Sequence, residues 1–554
     1  MKKRILSIML GAGMLVSCSL VSGCNLIGGD SYKEVEGKTN ITVGTYNGGV
    51  GLPWLKEAAK RFEEAYEEVS FEDGKTGVAV HVMDAKTGVN LENGSLDRDV
   101  FFTESVDYYS FVAQEGKLAD ITDVVRADLT ALKDSGTIED KLDTALADFL
   151  TAKDGKYYAL PFYDGIYGIA YDVDMFAQKG WFFDENGNFT KKDKSTGIDG
   201  VAGTYDDGLP KTYAQFKQLV DKVRGDNVTP FVYAHESMPY FNNLIANFWA
   251  DYEGKDKMQI NWSLSGETDI VTSFNGTTPV IGTTTIDGGS NYMELQKQPG
   301  KYYALDFLKS VMMSNGQNYK SATDFQSAQY QFLRSSFANS NNVAMIVEGA
   351  WFENEADMSG SYELAFLEDP ATLAPDYDPT KDYKLTRKIG FMPIPMVDDS
   401  ETTLNAGSKT TDGKHKQTLL STNESFCFVN GGINGAKLAV AKEFVKFMHT
   451  NSELAAFTAK TSIPRPFNYT ISDSVKNNMS YFGKTLMEIK QSSNIVYPYS
   501  NNEYYVAHSA QFKFGEWGWK GHVAGDLVSN AFDYFRTENN KTKTAKDYFE
   551  GLGK

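Results

Sequence analysis

Apolar and polar positions alternate with two different periods along the chain. Ile41–Tyr46 reads as a short strand, and Asn47-Gly48-Gly49-Val50-Gly51 as a turn. Pro53 then opens a segment in which Leu55, Ala58, Phe62 and Tyr66 recur at helical spacing. Val78–Val82 and Asp99–Phe102 return to strand patterning. Strand, helix and strand at this spacing predict parallel βαβ units and an α/β fold. The pattern repeats further on. Helices are predicted at Thr212–Val223, from Met238, at Tyr302–Met313 and at Phe325–Ser336; strands at Thr229–Tyr233 and Asn342–Val347. A strand at Phe426–Val429 and a helix carrying Leu438, Ala441, Val445 and Met448 follow. Asp251–Gly300 is Thr- and Gly-rich and predicts little.

One stretch interrupts this order. In Gly155–Phe176, GKYYALPFYDGIYGIAYDVDMF, a dense aromatic run is broken by Pro161 and punctuated by Gly165 and Gly168. A proline inside a strand pattern marks an edge or a break. Two short strands in line, with a flexible joint between them, suit a crossing from one lobe to another. A length of 554 residues is too great for one ordinary core and also predicts more than one lobe.

Aromatics make up 13 % of the chain, which suits large cores and equally suits sugar-facing surfaces. The net charge of −19 excludes a nucleic-acid binder and disfavours a highly anionic ligand. The N-terminus has the layout of an export signal. Lys2, Lys3 and Arg4 precede an apolar run, Ile5–Val16, too short to span a bilayer. Val21-Ser22-Gly23-Cys24 follows and resembles a bacterial lipobox. Cys24 is the expected lipidated residue, with Cys18 the alternative, and residues 25–40 form a tether. Cys427 is then the one cysteine that remains. It allows no internal disulfide and reads as a buried strand residue.

Known catalytic motifs are missing: the sequence has no G-x-S-x-G, P-loop, H-E-x-x-H or C-x-x-C. The glycine turn at residues 48–51 lacks the third glycine of a dinucleotide site, where Trp54 stands instead. Asp184, Asn186 and Asn188 have the oxygen spacing of a calcium loop, with Asp199, Asp206 and Asp207 nearby. Phe189 occupies the position that needs glycine, and turns explain the same residues. No cofactor is expected beyond this candidate calcium.

Five segments carry a family resemblance in order: Asp99–Val124, Gly155–Phe176, Pro239-Tyr240-Phe241, Glu348-Gly349-Ala350-Trp351 and Phe428–Phe457. Together with the lipobox they make the chain similar to the extracellular solute-binding proteins of bacterial carbohydrate ABC importers, the broad family that includes maltose-binding protein. The resemblance implies a two-lobed α/β fold of periplasmic-binding-protein type, with the ligand cleft between lobes joined by hinge strands. Residues 41–160 with 425–466 would form the first lobe, and 161–397 with 467–554 the second; 398–424 would be a polar connecting loop. The implied partners are an oligosaccharide, the transmembrane subunits of a permease, and the membrane through the lipid anchor. The implied state is a monomer on the outer face of the cytoplasmic membrane, without catalysis. A lipid-anchored glycan-active enzyme and a glycan-binding surface protein that does not transport are the alternatives.

Tyr240 and Trp351 match aromatic platforms of the family. Asn47 lies in the first polar turn, Glu104 and Asp107 follow the third strand, and Tyr163 and Asp164 lie just past the crossing. Thr103 stands where the family usually has an aromatic, so Trp54 or Tyr108 is the expected replacement.

Overall fold

Two five-stranded sheets organise the chain. The computed structural model describes residues 32–85, 96–104, 116–234, 238–313, 318–337, 343–367, 376–395, 416–422, 425–523 and 525–554. In the first sheet Thr39–Thr45 pairs in parallel with Val78–Asp84 on one side and Val100–Glu104 on the other. It is buried along its whole length, as a central parallel strand covered on both faces must be. The intervening helix, Pro53–Ala65, turns Trp54, Leu55, Ala58, Ala59 and Phe62 inward. The buried carboxylate of Asp99, which directly precedes Val100–Glu104, accepts Thr42 N–H of the central strand at 2.8 Å. The far part of the chain completes the sheet: Ser425–Val429 runs antiparallel to both Val100–Glu104 and Leu160–Pro161.

The second sheet has the order Tyr319–Ala322, Thr229–Ala234, Val343–Gly349, Tyr167–Asp172, Ile389–Met392. Its first three strands are parallel, and Tyr167–Asp172 is antiparallel to both neighbours. The chain therefore leaves one sheet at Pro161 and enters the other at Tyr167. Residues 162–166 form the joint, bonded to two other passes of the chain. Phe162 N–H donates to Ser425 O at 3.0 Å, Asp164 N–H to Pro464 O at 2.9 Å, and Gly165 N–H to Ser421 Oγ at 3.0 Å.

Three regions are richer than their sequence pattern predicts. Asp251–Gly300 holds a long antiparallel hairpin, Ser265–Asn275 with Thr278–Asp287, held by buried Ile270, Val271 and Ile286. The segment read as a polar loop, residues 398–424, contains a buried strand, Thr418–Leu420, parallel to Asn494–Val496. That correction has a physical reason: its strand partner lies over 70 residues away, beyond any local pattern. The C-terminal aromatics are fixed by a buried amide chain. Trp517 Nε1 donates to Asn261 Oδ1 at 3.1 Å, and Asn261 Nδ2 to Gln298 Oε1 at 2.8 Å. Cys427 is fully buried in its strand, and burial pushes its thiol pKa up.

Candidate ligand site between the lobes

Trp351 sits on the turn that ends the buried strand Val343–Gly349 and begins the helix Phe352–Met358. Its ring is met edge-on by Tyr167 at 5.0 Å, Tyr240 at 6.0 Å and Tyr163 at 6.5 Å between centroids. Tyr167 and Tyr240 also touch edge-to-face at 5.0 Å, and Phe325 adds a ring 5.3 Å from Tyr240. Tyr163 and Tyr167 come from the crossing, while Tyr240, Phe325 and Trp351 come from three separate elements of the second sheet's lobe. Trp351 is 7 % exposed and Tyr240 only half-buried, so the cluster is packed yet reaches the surface through Tyr240.

Carboxylates lie beside the rings. Gln329 Nε2 donates to Glu355 Oε2 at 2.8 Å and, more weakly, to Glu348 Oε1 at 3.3 Å. Burial and the Glu355 charge push the Glu348 carboxyl pKa well up. Burial also raises Glu355, and burial with the nearby Glu348 charge raises the Tyr240 hydroxyl. Aromatic rings and hydrogen-bonding carboxyl groups are the groups that receive hydroxyl-rich molecules, and of those gathered here Tyr240, Phe325 and Glu355 are the partly exposed ones.

The first lobe touches this site directly. Asn354 Nδ2 donates to Gly49 O at 2.6 Å and to Val50 O at 3.0 Å. One residue earlier, buried Glu353 accepts Ser462 Oγ and Ser480 Oγ at 2.5 Å each. Burial pushes its carboxyl pKa up to about 7.

The remaining sequence candidates fall in varied places. Asn47 is exposed on the first-lobe loop, and its N–H donates to Asp84 Oδ1 at 3.2 Å. Trp54 is not an open platform: it is 2 % exposed, with Phe102, Phe162 and Phe457 around it at 5.3, 5.5 and 4.9 Å. A helix start on a covered sheet face turns its large side chain into the core, which corrects that expectation. Asp164 is likewise corrected to a hinge residue. It is fully buried, with Lys490 Nζ at 2.9 Å and Tyr497 OH at 3.0 Å. Both its oxygens are used, and a buried carboxylate needs such partners. Glu104 ends its strand opposite Ser425. Asp107 and Tyr108 lie outside the described residues.

The aspartates among the calcium candidates accept turn N–H groups, those of Asn186 and Asn188 included. Asp184 Oδ1 takes the N–H groups of Asn186 and Asn188 at 2.9 and 2.8 Å, and Asp206 Oδ2 takes those of Ile198 and Asp199 at 2.5 and 3.0 Å. Asp199 Oδ1 accepts Val201 N–H at 2.7 Å and Asp207 Oδ2 accepts Gly203 N–H at 2.7 Å. Among the described residues no group of three or more His, Cys, Asp or Glu side chains is placed to hold a metal ion.

The family model of the bacterial extracellular solute-binding proteins matches residues 48–453. The chain belongs to that family. A search of curated proteins finds no match. Among solved structures, the binding protein RafE in complex with raffinose is similar at 15 % identity and a TM-score of 0.51, covering 93 % of this chain and 98 % of its own. RafE from Streptococcus pneumoniae in its apo form matches at 14 % identity and a TM-score of 0.51, covering 94 % and 98 %. The GacH receptor of Streptomyces glaucescens, solved unliganded and with acarbose, matches at 13 % identity and a TM-score of 0.50, covering 93 % and 97 %. At such identities the likeness is one of fold, and it makes this solute-binding protein a two-lobed α/β protein. Among the described residues no helix is long and apolar enough to cross a membrane.

Sequence reasoning missed Phe325, Gln329, Glu355 and Asn354. None has a distinctive spacing, since each joins the site only through the packing of its helix. Glu348 stood inside the Glu348–Trp351 segment without an assigned part.

Proposed function

We propose that this solute-binding protein is the lipid-anchored receptor of an ABC importer. It captures a neutral oligosaccharide between its lobes and delivers it to a membrane permease, without transforming it. The observation that carries the reading is the ring cluster of Trp351, Tyr240 and Tyr167 at the meeting of the lobes. Pyranose faces stack on aromatic rings, and sugar hydroxyls bond to carboxyl and amide groups. The raffinose and acarbose complexes of its structural neighbours are consistent with this class of ligand. The net charge of −19 disfavours a strongly anionic one.

Lipidation of Cys24 would hold a monomer at the outer face of the membrane, with the residues ahead of the strand Thr39–Thr45 as tether; Thr39 and Asn40, expected in the tether, are buried in that strand. Titration of the purified mature protein against neutral oligosaccharides by calorimetry tests the reading. Micromolar binding with the sugar recovered intact supports it. Hydrolysed product on chromatography would identify an enzyme instead, and no binding to any oligosaccharide would refute the sugar class.

A further inference from the structure

The loop Asn47–Gly51 belongs to the first lobe, because it leaves the central strand Thr39–Thr45 and leads into the helix Pro53–Ala65. The helix Phe352–Met358 belongs to the second, because it continues from Val343–Gly349. The two are pressed together. The Asn354 side chain is 7 % exposed and gives both of its N–H bonds to backbone carbonyls of the opposite lobe, Gly49 O and Val50 O. Two glycines make the approach possible. A Cβ on Gly49 would lie 3.0 Å from both Cβ and Cγ of Trp351. Gly51 has a φ of +70°, and a Cβ there would lie 2.1 Å from Met358 Sδ. Trp351 and Asn354 are three residues apart, hence on one face of one turn. One contact that joins the lobes is thus built on the same turn as the ring at the centre of the candidate ligand site.

We propose that Asn354 is a positioning residue for ligand capture, a latch whose amide seats the glycine loop of the first lobe on the Trp351 turn and sets how far the lobes stand apart. The backbone carbonyls of residues 49 and 50 are good partners for a latch. They need no particular side chain, accept only a donor, and return to water when the lobes part, so the bonds exchange at small net energy and the contact is reversible. The energy also has the right scale. Two hydrogen bonds of ordinary net strength shift an open–closed equilibrium by about ten-fold or more, enough to move a population without locking it. Hinge closure is the motion so biased. The inference needs the two-lobed fold and not the identity of the sugar.

The test uses purified full-length mature protein carrying Cys24→Ser, with no added sugar. Cys427 is fully buried, so introduced cysteines label selectively. Donor and acceptor dyes at Asp73→Cys on the first lobe and Gln218→Cys on the second report lobe separation by single-molecule energy transfer, with small-angle scattering as the label-free check. Asn354→Ala should raise the open population about ten-fold. Asn354→Asp should raise it further, since its carboxylate would face two carbonyl oxygens. Gly49→Ala, which leaves Asn354 intact, should open the lobes by steric contact with Trp351. Each variant should keep the wild-type far-UV circular dichroism. An unchanged separation in both Asn354 variants overturns the proposal, and so does a lowered Tm without any change in separation. Neither result would bear on whether the wild-type protein binds an oligosaccharide in the calorimeter.

Discussion

Glu353→Gln gives the sharpest test of how the lobes are joined electrostatically. Glu353 is 1 % exposed, accepts two serine hydroxyls, and its pKa is pushed from the ordinary 4.5 up to about 7 by burial. Lys384 opposes the rise and Asp357 adds to it, both more weakly than burial. Tyr362 lies close enough to be raised by the Glu353 charge. The folded chain therefore holds a proton on Glu353 that the unfolded chain releases between pH 4.5 and 7. Its contribution is fully present below about pH 4.5 and is lost as pH rises through about 7. A rise from 4.5 to about 7 corresponds to about 3 kcal/mol. The amide introduced by Glu353→Gln would mimic the neutral acid at every pH. Urea denaturation at pH 4.5 and at pH 8 should thus show the variant gaining on wild type by up to about 3 kcal/mol across that interval. Glu253, raised to about 8 by burial, adds a similar slope to both proteins and cancels in the difference. If the two pH profiles run parallel, Glu353 does not titrate with folding and the reasoning fails.

Other outcomes follow from the placed side chains. Asp164→Asn leaves the Lys490 ammonium group beside a neutral amide at the hinge and should destabilise the protein by about 3–5 kcal/mol, read from denaturant unfolding. Trp54→Ala should cost about 3–5 kcal/mol as a cavity mutation, by the same measurement; a variant as stable as wild type would mean that the ring is not core. Trp351→Ala should weaken oligosaccharide binding about five-fold or more by calorimetry, since a stacked ring contributes about 1 kcal/mol beyond its buried area. Cys24→Ala should abolish incorporation of labelled fatty acid in cells; incorporation lost only when Cys18 is also changed would move the anchor.

The fold class was legible because it rests on local period. Ile41–Tyr46, Pro53–Tyr66 and Val78–Val82 read correctly as strand, helix and strand, since alternation and helical spacing are written into adjacent residues. The crossing was legible for a similar reason: a proline and two glycines break a strand pattern within one stretch. The hairpin Ser265–Asp287 was not, because threonine and glycine give no clear period and its buried face depends on helices elsewhere. Thr418–Leu420 escaped notice because a three-residue strand takes its meaning from a distant partner.

The residues of the site divide in the same way. By its sequence the chain determined which residues are aromatic or acidic, the order of its elements, and the turn that carries Trp351. Only tertiary structure decided what each of them faces. Trp54 and Trp351 both stand at helix starts after a strand, yet one is enclosed by three phenylalanines and the other meets three tyrosines between the lobes. Asp164 and Glu355 are both acids near aromatic residues, yet Lys490 ties the first to the hinge and Gln329 holds the second beside the rings. The physical reason is that burial and pairing are set by segments hundreds of residues apart, and no local pattern encodes the neighbour that a side chain finally meets.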